Sequence, residues 1–307
     1  MKILVTGGAG AVGSNLINEL IKENEIVVID DLSSGHIENL PDGVTFVEGS
    51  ICDESILEKV FSGKIDVVYH LAAFFANQNS IEHPVDDLKV NGEGTLKLLM
   101  HSVKNKVDRF IYSSSSCVYG NKDGELQEED TNYDIGTPYA MTKLLGEHYV
   151  NLYSKLYGLK TVILRYFNSY GPGEKPGMYR NVIPNWIDLA LKGKELVITG
   201  TGHETRDFTY VGDIVKGTIL AGNNKNAVGK VINLGNGKDT EIVKIAEMIN
   251  KITGNKAGIN YKPKREWDHV MKRKADITHA MDVLGYLPKI ELEEGIKKTV
   301  DWIKELK

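Results

Sequence analysis

The chain has 307 residues, 41% hydrophobic and 26% charged, which suits one large or two ordinary globular domains with a substantial core. Its formal net charge is −5 and it has no basic tail or Lys/Arg block, which argues against nucleic acid and anionic membrane as partners. No apolar run is long enough to span a bilayer, "MKILVTGGAG" breaks into glycines too early for a signal peptide, and Cys52 and Cys117 form neither a disulfide framework nor a metal spacing, so the cytoplasm is expected.

"KILV" (Lys2 to Val5) is a short β-rich run. The stretch after it places Val12, Leu16, Ile17, Leu20 and Ile21 at helical spacing, and "EIVVID" (Glu25 to Asp30) is a second buried strand. The turn between strand and helix reads G-x-x-G-x-x-G at Gly7, Gly10 and Gly13, and an acid closes the second strand. That context, rather than the glycines alone, marks a dinucleotide site and disfavours a merely structural turn. Glycines let the backbone approach a pyrophosphate, and the helix start offers N–H groups and a positive dipole end. A carboxylate at Asp30 accepts from a ribose 2′-OH and repels a 2′-phosphate. From Glu25 to Glu58 there is no Lys or Arg, while acids recur at Asp31, Glu38, Asp42, Glu48, Asp53 and Glu54. The cofactor expected is NAD, not NADP.

"VTFVEGSI" (Val44 to Ile51) and "IDVVYHLAA" (Ile65 to Ala73) read as the third and fourth strands, with a short helix between them. A long helix is expected over Asp86–Asn105, a fifth strand in "VDRFIYSS", a helix over Pro138–Gly158 and a sixth strand in "LKTVILRYFN". This alternation predicts an α/β fold with a doubly wound, mostly parallel sheet. The turn-rich "YGPGEKPG" (Tyr170 to Gly177) marks a boundary. Residues 1–171 form a nucleotide-binding domain in this reading and 172–307 a substrate-binding lobe, with 206–235 returning to the first sheet. The cleft between the two is where a substrate sits.

Of fourteen tyrosines only Tyr139 has a lysine four residues on, Lys143, on the same helix face. An ammonium there is expected to stabilise the phenolate and lower the tyrosine's pKa toward working pH. The alternative is a surface pair on an amphipathic helix. Just upstream, "YSSSSCVYG" (Tyr112 to Gly120) sets four serines at the end of a core strand, where open α/β sheets place their chemistry.

Taken together, "TGGAGAVG", "DDLSSG", "HLAA", "VNGEGT", "YSSSSCVYG", "PYAMTK", "LRYFNSYGPG" and "TRDFTYVGD" stand in order across nearly the whole chain. The sequence resembles the extended short-chain dehydrogenases/reductases, in the NAD-dependent nucleotide-sugar epimerase/dehydratase family (UDP-glucose 4-epimerase-like). The resemblance implies a Rossmann-type sheet with a smaller C-terminal α/β lobe. It implies Tyr139 as the base, Lys143 as its partner and a ligand of the nicotinamide ribose, and Ser115 as the serine on the reacting sugar hydroxyl. It implies that Ser113 lies near the nicotinamide and that Asn91, counted with the cofactor residues, steadies the active-site helix. The cofactor set carried over from the family is Gly7, Gly10, Ala11, Val12, Gly13, Asp30, Asp31, Ser33, Ser34, Gly35, Ser50, Ile51, Leu71, Ala72, Ala73, Asn91, Ser113, Tyr139, Lys143 and Tyr166. The substrate set is Phe75, Ser115, Ser116, Cys117, Tyr139, Asn168, Val182, Arg206 and Arg265, with the two arginines on the diphosphate of a nucleotide-diphosphate sugar. No metal is implied. A homodimer built from the helices Asp86–Asn105 and Pro138–Gly158 is.

The family's dehydratases carry an Asp-Glu pair just before "VYG" and its decarboxylases a glutamate, whereas this chain has Ser116 and Cys117. That leaves oxidation at C4, with return of the hydride (an epimerase) or without it (a 4-dehydrogenase). A non-catalytic NAD sensor would not need Tyr139, Lys143 and Ser115. Cys117 reads as a small packing residue rather than a nucleophile. The chain departs from the family pattern in "REWDHV" around Arg265, in Ser50 on the adenine side, and in the polar "FFANQNS". Arg206 alone also fits an ion pair with Glu204.

Overall fold

The computed structural model describes residues 1–130 and 134–306. Seven short apolar runs make its main sheet: β1 Lys2–Thr6, β2 Glu25–Asp30, β3 Thr45–Glu48, β4 Val67–His70, β5 Arg109–Ser115, β6 Thr161–Tyr166 and β7 Val231–Leu234. All neighbours are parallel, in the spatial order β7-β6-β5-β4-β1-β2-β3. Successive side chains point to opposite faces, and both faces are covered. Ile3 and Val5 pack with the helices Ala11–Leu20 and Val211–Asn223, through Leu16, Ile17, Ile214 and Val215. Leu4 and Val68 face the other way, toward Leu57, Leu98, Leu99 and Val150. The sheet order reverses between β1 and β4, so the chain leaves their carboxyl ends in opposite directions and opens a crevice. The doubly wound sheet expected from the sequence is thus present.

β7 reaches its place beside β6 with Val231 opposite Ile163 and Leu234 opposite Tyr166. A second core gathers Ile183, Trp186, Ile198, Ile245, Ile249, Ile296 and Val300. These come from the helices Val182–Leu191, Ile242–Thr253 and Leu292–Glu305 and the strand Leu196–Thr199, which pairs with Ile259–Lys262. A small sheet ties this part to the loop after β5: Lys272–Ala275 lies between Gly124–Leu126 and Thr205–Arg206.

The helix Pro138–Tyr157 begins with Pro138 behind Thr137, whose hydroxyl accepts from the Ala140 N–H, and ends at Gly158 with φ 69°. The helix expected over Asp86–Asn105 is not continuous. Pro84–Asp87 passes into a wider π-helical stretch, Leu88–Gly94, before Thr95–Lys104. The widening serves buried polar groups. Asn91 Nδ2 donates to Asp87 Oδ1 at 2.8 Å, Thr142 Oγ1 donates to Asp87 Oδ2 at 2.7 Å, and Thr95 Oγ1 donates to the Asn91 carbonyl at 2.7 Å.

Candidate active site

The crevice runs into a cleft of about 1150 Å³ between the main sheet and the second core. That exceeds the roughly 300–1,000 Å³ of a pocket for one small ligand. At its sheet end, glycine is required sterically. A Cβ on Gly7 (φ 70°) would come within 2.6 Å of the Ala72 nitrogen, and one on Gly13 within 2.3 Å of the Gly7 carbonyl oxygen. Gly10 starts the helix Ala11–Leu20 with no side chain capping it, so the first-turn N–H groups stay open to an anion. Asp30 ends β2 with its carboxylate accepting from the N–H groups of Ala9 and Leu32, each at 2.9 Å. Burial pushes this carboxyl above its ordinary range, and the two N–H bonds oppose that. A glycine cradle, an open helix start and a carboxylate at the end of the second strand fit NAD.

One sequence inference about this end needs correction. The acidic stretch is free of cations only along the chain. The fold brings Arg180 to donate to the Ser34 carbonyl oxygen and Lys175 to within 3.4 Å of Glu38. Tyr179, beside Arg180, bonds to Glu82 on the opposite side, so the segment from Gly177 to Asn181 is tethered to both.

The serine run closes the middle of the cleft, and its first three hydroxyls each have a different partner. Ser113 Oγ donates to the His70 carbonyl at 2.9 Å. Ser114 Oγ turns inward to Glu147 Oε1 at 2.5 Å, and Arg165 grips that carboxylate with two N–H bonds of 2.9 and 2.8 Å. Ser115 Oγ accepts from the Cys117 N–H at 3.2 Å and stands beside the Tyr139 phenol, favouring its ionised form. Tyr139 and Lys143 are buried on the helix Pro138–Tyr157, so they are no surface pair. Tyr139 is held by its N–H on Ser80 Oγ at 3.0 Å and by the edge of its ring against Phe75, with centroids 6.0 Å apart.

The charge logic differs from the expectation. Burial pushes the Tyr139 phenol well above its usual range, with Ser115 pulling the other way. The Lys143 ammonium donates to the Ser113 carbonyl at 2.9 Å and lies 5.8 Å from the Tyr139 ring centre. Desolvation therefore sets the sign for the phenol, and it also pushes Lys143 itself down to about 8, against the neighbouring Asp87.

On the far wall, Arg206 pairs with Asp268 at 3.0 Å, not with Glu204, whose carboxylate binds the N–H groups of Thr201 and Gly202. Arg265 stacks over Trp267 at 5.5 Å, and Asn168 Nδ2 donates to the Asp207 carbonyl at 3.1 Å. Every site residue named from the sequence lines this one cleft except Asn91. Asn91 is buried behind the wall, accepting from the Phe74 N–H at 2.8 Å and donating to Asp87. The sequence reading missed Arg180, Tyr179, Trp267 and Arg273 in the lining, and the buried supports His70, Asp87 and Glu147. Glu147 alone had a readable signal, because it stands four residues beyond Lys143 on the helix face that carries Tyr139.

Such a site belongs to a nucleotide-binding α/β enzyme with a tyrosine-lysine-serine centre, and comparison with known proteins narrows it. The chain belongs to the NAD dependent epimerase/dehydratase family, whose model matches residues 3–235. An epimerase from Methanothermobacter thermautotrophicus is 45% identical with TM-score 0.97, covering 99% of this chain and 92% of that one. A UDP-glucose 4-epimerase from Thermotoga maritima, solved with UDP-glucose, is 37% identical with TM-score 0.95, covering 100% and 99%. A UDP-N-acetyl-alpha-D-glucosaminuronate decarboxylase from Bacillus cytotoxicus is 33% identical over 319 residues, 99% of this chain and 98% of its own length. The cofactor is NAD.

Proposed function

We propose that the protein is a nucleotide-diphosphate hexose 4-epimerase acting on a UDP-sugar through a 4-keto intermediate. One observation carries this reading. Tyr139, Lys143 and Ser115 meet in the cleft, while Ser116 and Cys117 occupy the two positions where a carboxylic acid would be needed to expel a hydroxyl. NAD, which Gly7, Gly10, Gly13, Asp30 and Lys143 would hold, would supply the hydride acceptor. Ser115 orients the C4 hydroxyl of the sugar, and Tyr139 takes its proton as C4 gives up its hydride; once the ketone has turned to present its other face and the hydride returns there, Tyr139 gives the proton back to the C4 oxygen. Lys143 holds positive charge beneath the phenol at neutral pH, since its pKa of about 8 still leaves it mostly protonated. Glu147 and Arg165 fix the strand end from below, and Arg206 and Arg265 take the diphosphate.

The test is incubation with UDP-, GDP-, CDP- and dTDP-sugars followed by NMR. Interconverting C4 epimers of a UDP-sugar are expected. An accumulating ketone, or loss of carbon dioxide, would overturn the reading. We also propose a homodimer through Pro84–Lys104 and Pro138–Tyr157, which leave Val85, Leu88, Met100, Met141, Leu152 and Leu156 exposed. A monomer in sedimentation at micromolar concentration would refute it. The free thiols Cys52 and Cys117 suit the reducing cytoplasm, where we place the reaction.

A further inference from the structure

Arg273 is buried, 8% exposed, in the strand Lys272–Ala275, and it lines the cleft. Its Nη2 donates to the Gly120 carbonyl oxygen, so it sits against the loop that carries Ser115, Ser116 and Cys117. Its Nε has no hydrogen-bond partner among the described residues. No described carboxylate forms an ion pair with it either. Arg206, opposite Arg273 in the sheet register, already has Asp268. Asp123, the other acid whose charge reaches Arg273, accepts from the N–H groups of Met271 and Lys272. A buried guanidinium without a counter-charge is costly, and the cost is offset where a ligand brings the anion.

Two anionic groups compete for that role. A diphosphate is the first, but Arg206 and Arg265 serve it in the reading above. Arg273 is instead fixed to the loop of the reacting serines, on the carbonyl three residues beyond Cys117. A neutral hexose would offer it only hydroxyls. A carboxylate matches its planar fork with two parallel bonds. We propose that Arg273 binds a carboxylate carried by the sugar, so that the substrate is a nucleotide-diphosphate sugar acid rather than a neutral hexose. This rests on the reading of the cleft as a nucleotide-sugar site.

The experiment is calorimetric titration of the NAD-loaded protein and of Arg273→Met with UDP, UDP-glucose, UDP-glucuronic acid and UDP-N-acetylmuramic acid. The parent should prefer one of the two acids over UDP-glucose by about 10- to 100-fold, the range of a charge-assisted hydrogen-bond pair. Arg273→Met keeps the apolar stem and should abolish that preference, while UDP itself binds as it does to the parent. A response to UDP-glucuronic acid puts the carboxylate at C6, and one to UDP-N-acetylmuramic acid puts it on the ring's ether substituent. Equal losses for UDP and the acids would make Arg273 a diphosphate ligand and overturn the proposal, as would a preference that survives the substitution. If Arg273→Met does not fold, Arg273→Lys keeps the charge without the fork and should weaken the acids alone. The affinities do not depend on epimerisation, so a failure of epimerisation with every sugar would count against the reaction and leave this result standing.

Discussion

Lys143 is where function and stability pull apart, and Lys143→Met should expose the conflict. A fall from 10.5 to about 8 on folding means that the protein holds this ammonium unwillingly. At about 1.4 kcal/mol per tenfold in proton affinity, the cost at pH 7 is about 3 kcal/mol. Methionine removes that cost and keeps the unbranched stem. It also removes the 2.9 Å bond to the Ser113 carbonyl, worth about 1 kcal/mol net. The variant is therefore expected to be more stable than the parent by about 2 kcal/mol at pH 7. The pH dependence follows from proton counting. Between pH 8 and 10.5 the unfolded chain keeps a proton that the folded parent has lost, so the parent gains stability as pH rises through that window. The variant's advantage should be full below pH 8 and gone by pH 10.5. Urea unfolding of the NAD-free proteins at pH 7 and pH 10 measures it. A variant less stable than the parent at pH 7, or a gap that ignores pH, would refute the reasoning.

Tyr139→Phe should still bind NAD and sugar but lose roughly 10²–10⁴-fold in turnover, the share of a positioned general base. In the same kinetic series Ser115→Ala should lose about tenfold, because water can stand in for part of its role, and Cys117→Ser should be nearly silent. Loss of activity in Cys117→Ser with retention in Tyr139→Phe would transfer the chemistry to the thiol. Gly146→Ala should destabilise by about 1–3 kcal/mol in thermal unfolding, because its Cβ would meet the Tyr112 hydroxyl at 2.1 Å. NAD should bind far more tightly than NADP to the parent, and Asp30→Ala should narrow the difference by removing the carboxylate that repels the extra phosphate. Equal binding of the two cofactors by the parent would sink that assignment.

What the sequence made legible is what repeats at short range. β1, the glycine turn and β2 lie within thirty residues, and their pattern needs no distant partner. Tyr139 and Lys143 share a face by helical geometry alone. What it hid depends on contacts between distant segments. Arg273 sits in a charged run, "KRKA", that reads as a solvated edge, and only pairing with Gly124–Leu126 and Thr205–Arg206 buries it. Arg180 reaches Ser34 across 146 residues, so a cation count along the chain could not foresee it. The π-helical stretch was hidden because Asp87 and Thr142 look like ordinary surface polars until they bond each other and Asn91. The sign of the Tyr139 shift was missed for a related reason: spacing reveals a neighbouring charge, but not the water that burial removes.

The position of β7 also governs how the chain can be made. Until Val231–Leu234 emerges from the ribosome, β6 is an open border whose middle reads Val162, Ile163, Leu164, with its outward N–H and C=O groups ready to accept a stranger's strand. More than sixty residues must be synthesised between the two strands, several seconds at the usual pace of roughly 5–20 residues per second. The nascent nucleotide-binding sheet is therefore complete only after much of the later chain has left the ribosome. A fragment cut after Tyr170 retains the glycine turn and Asp30 but keeps that border bare, and it is expected to self-associate before it can serve as a cofactor-binding module.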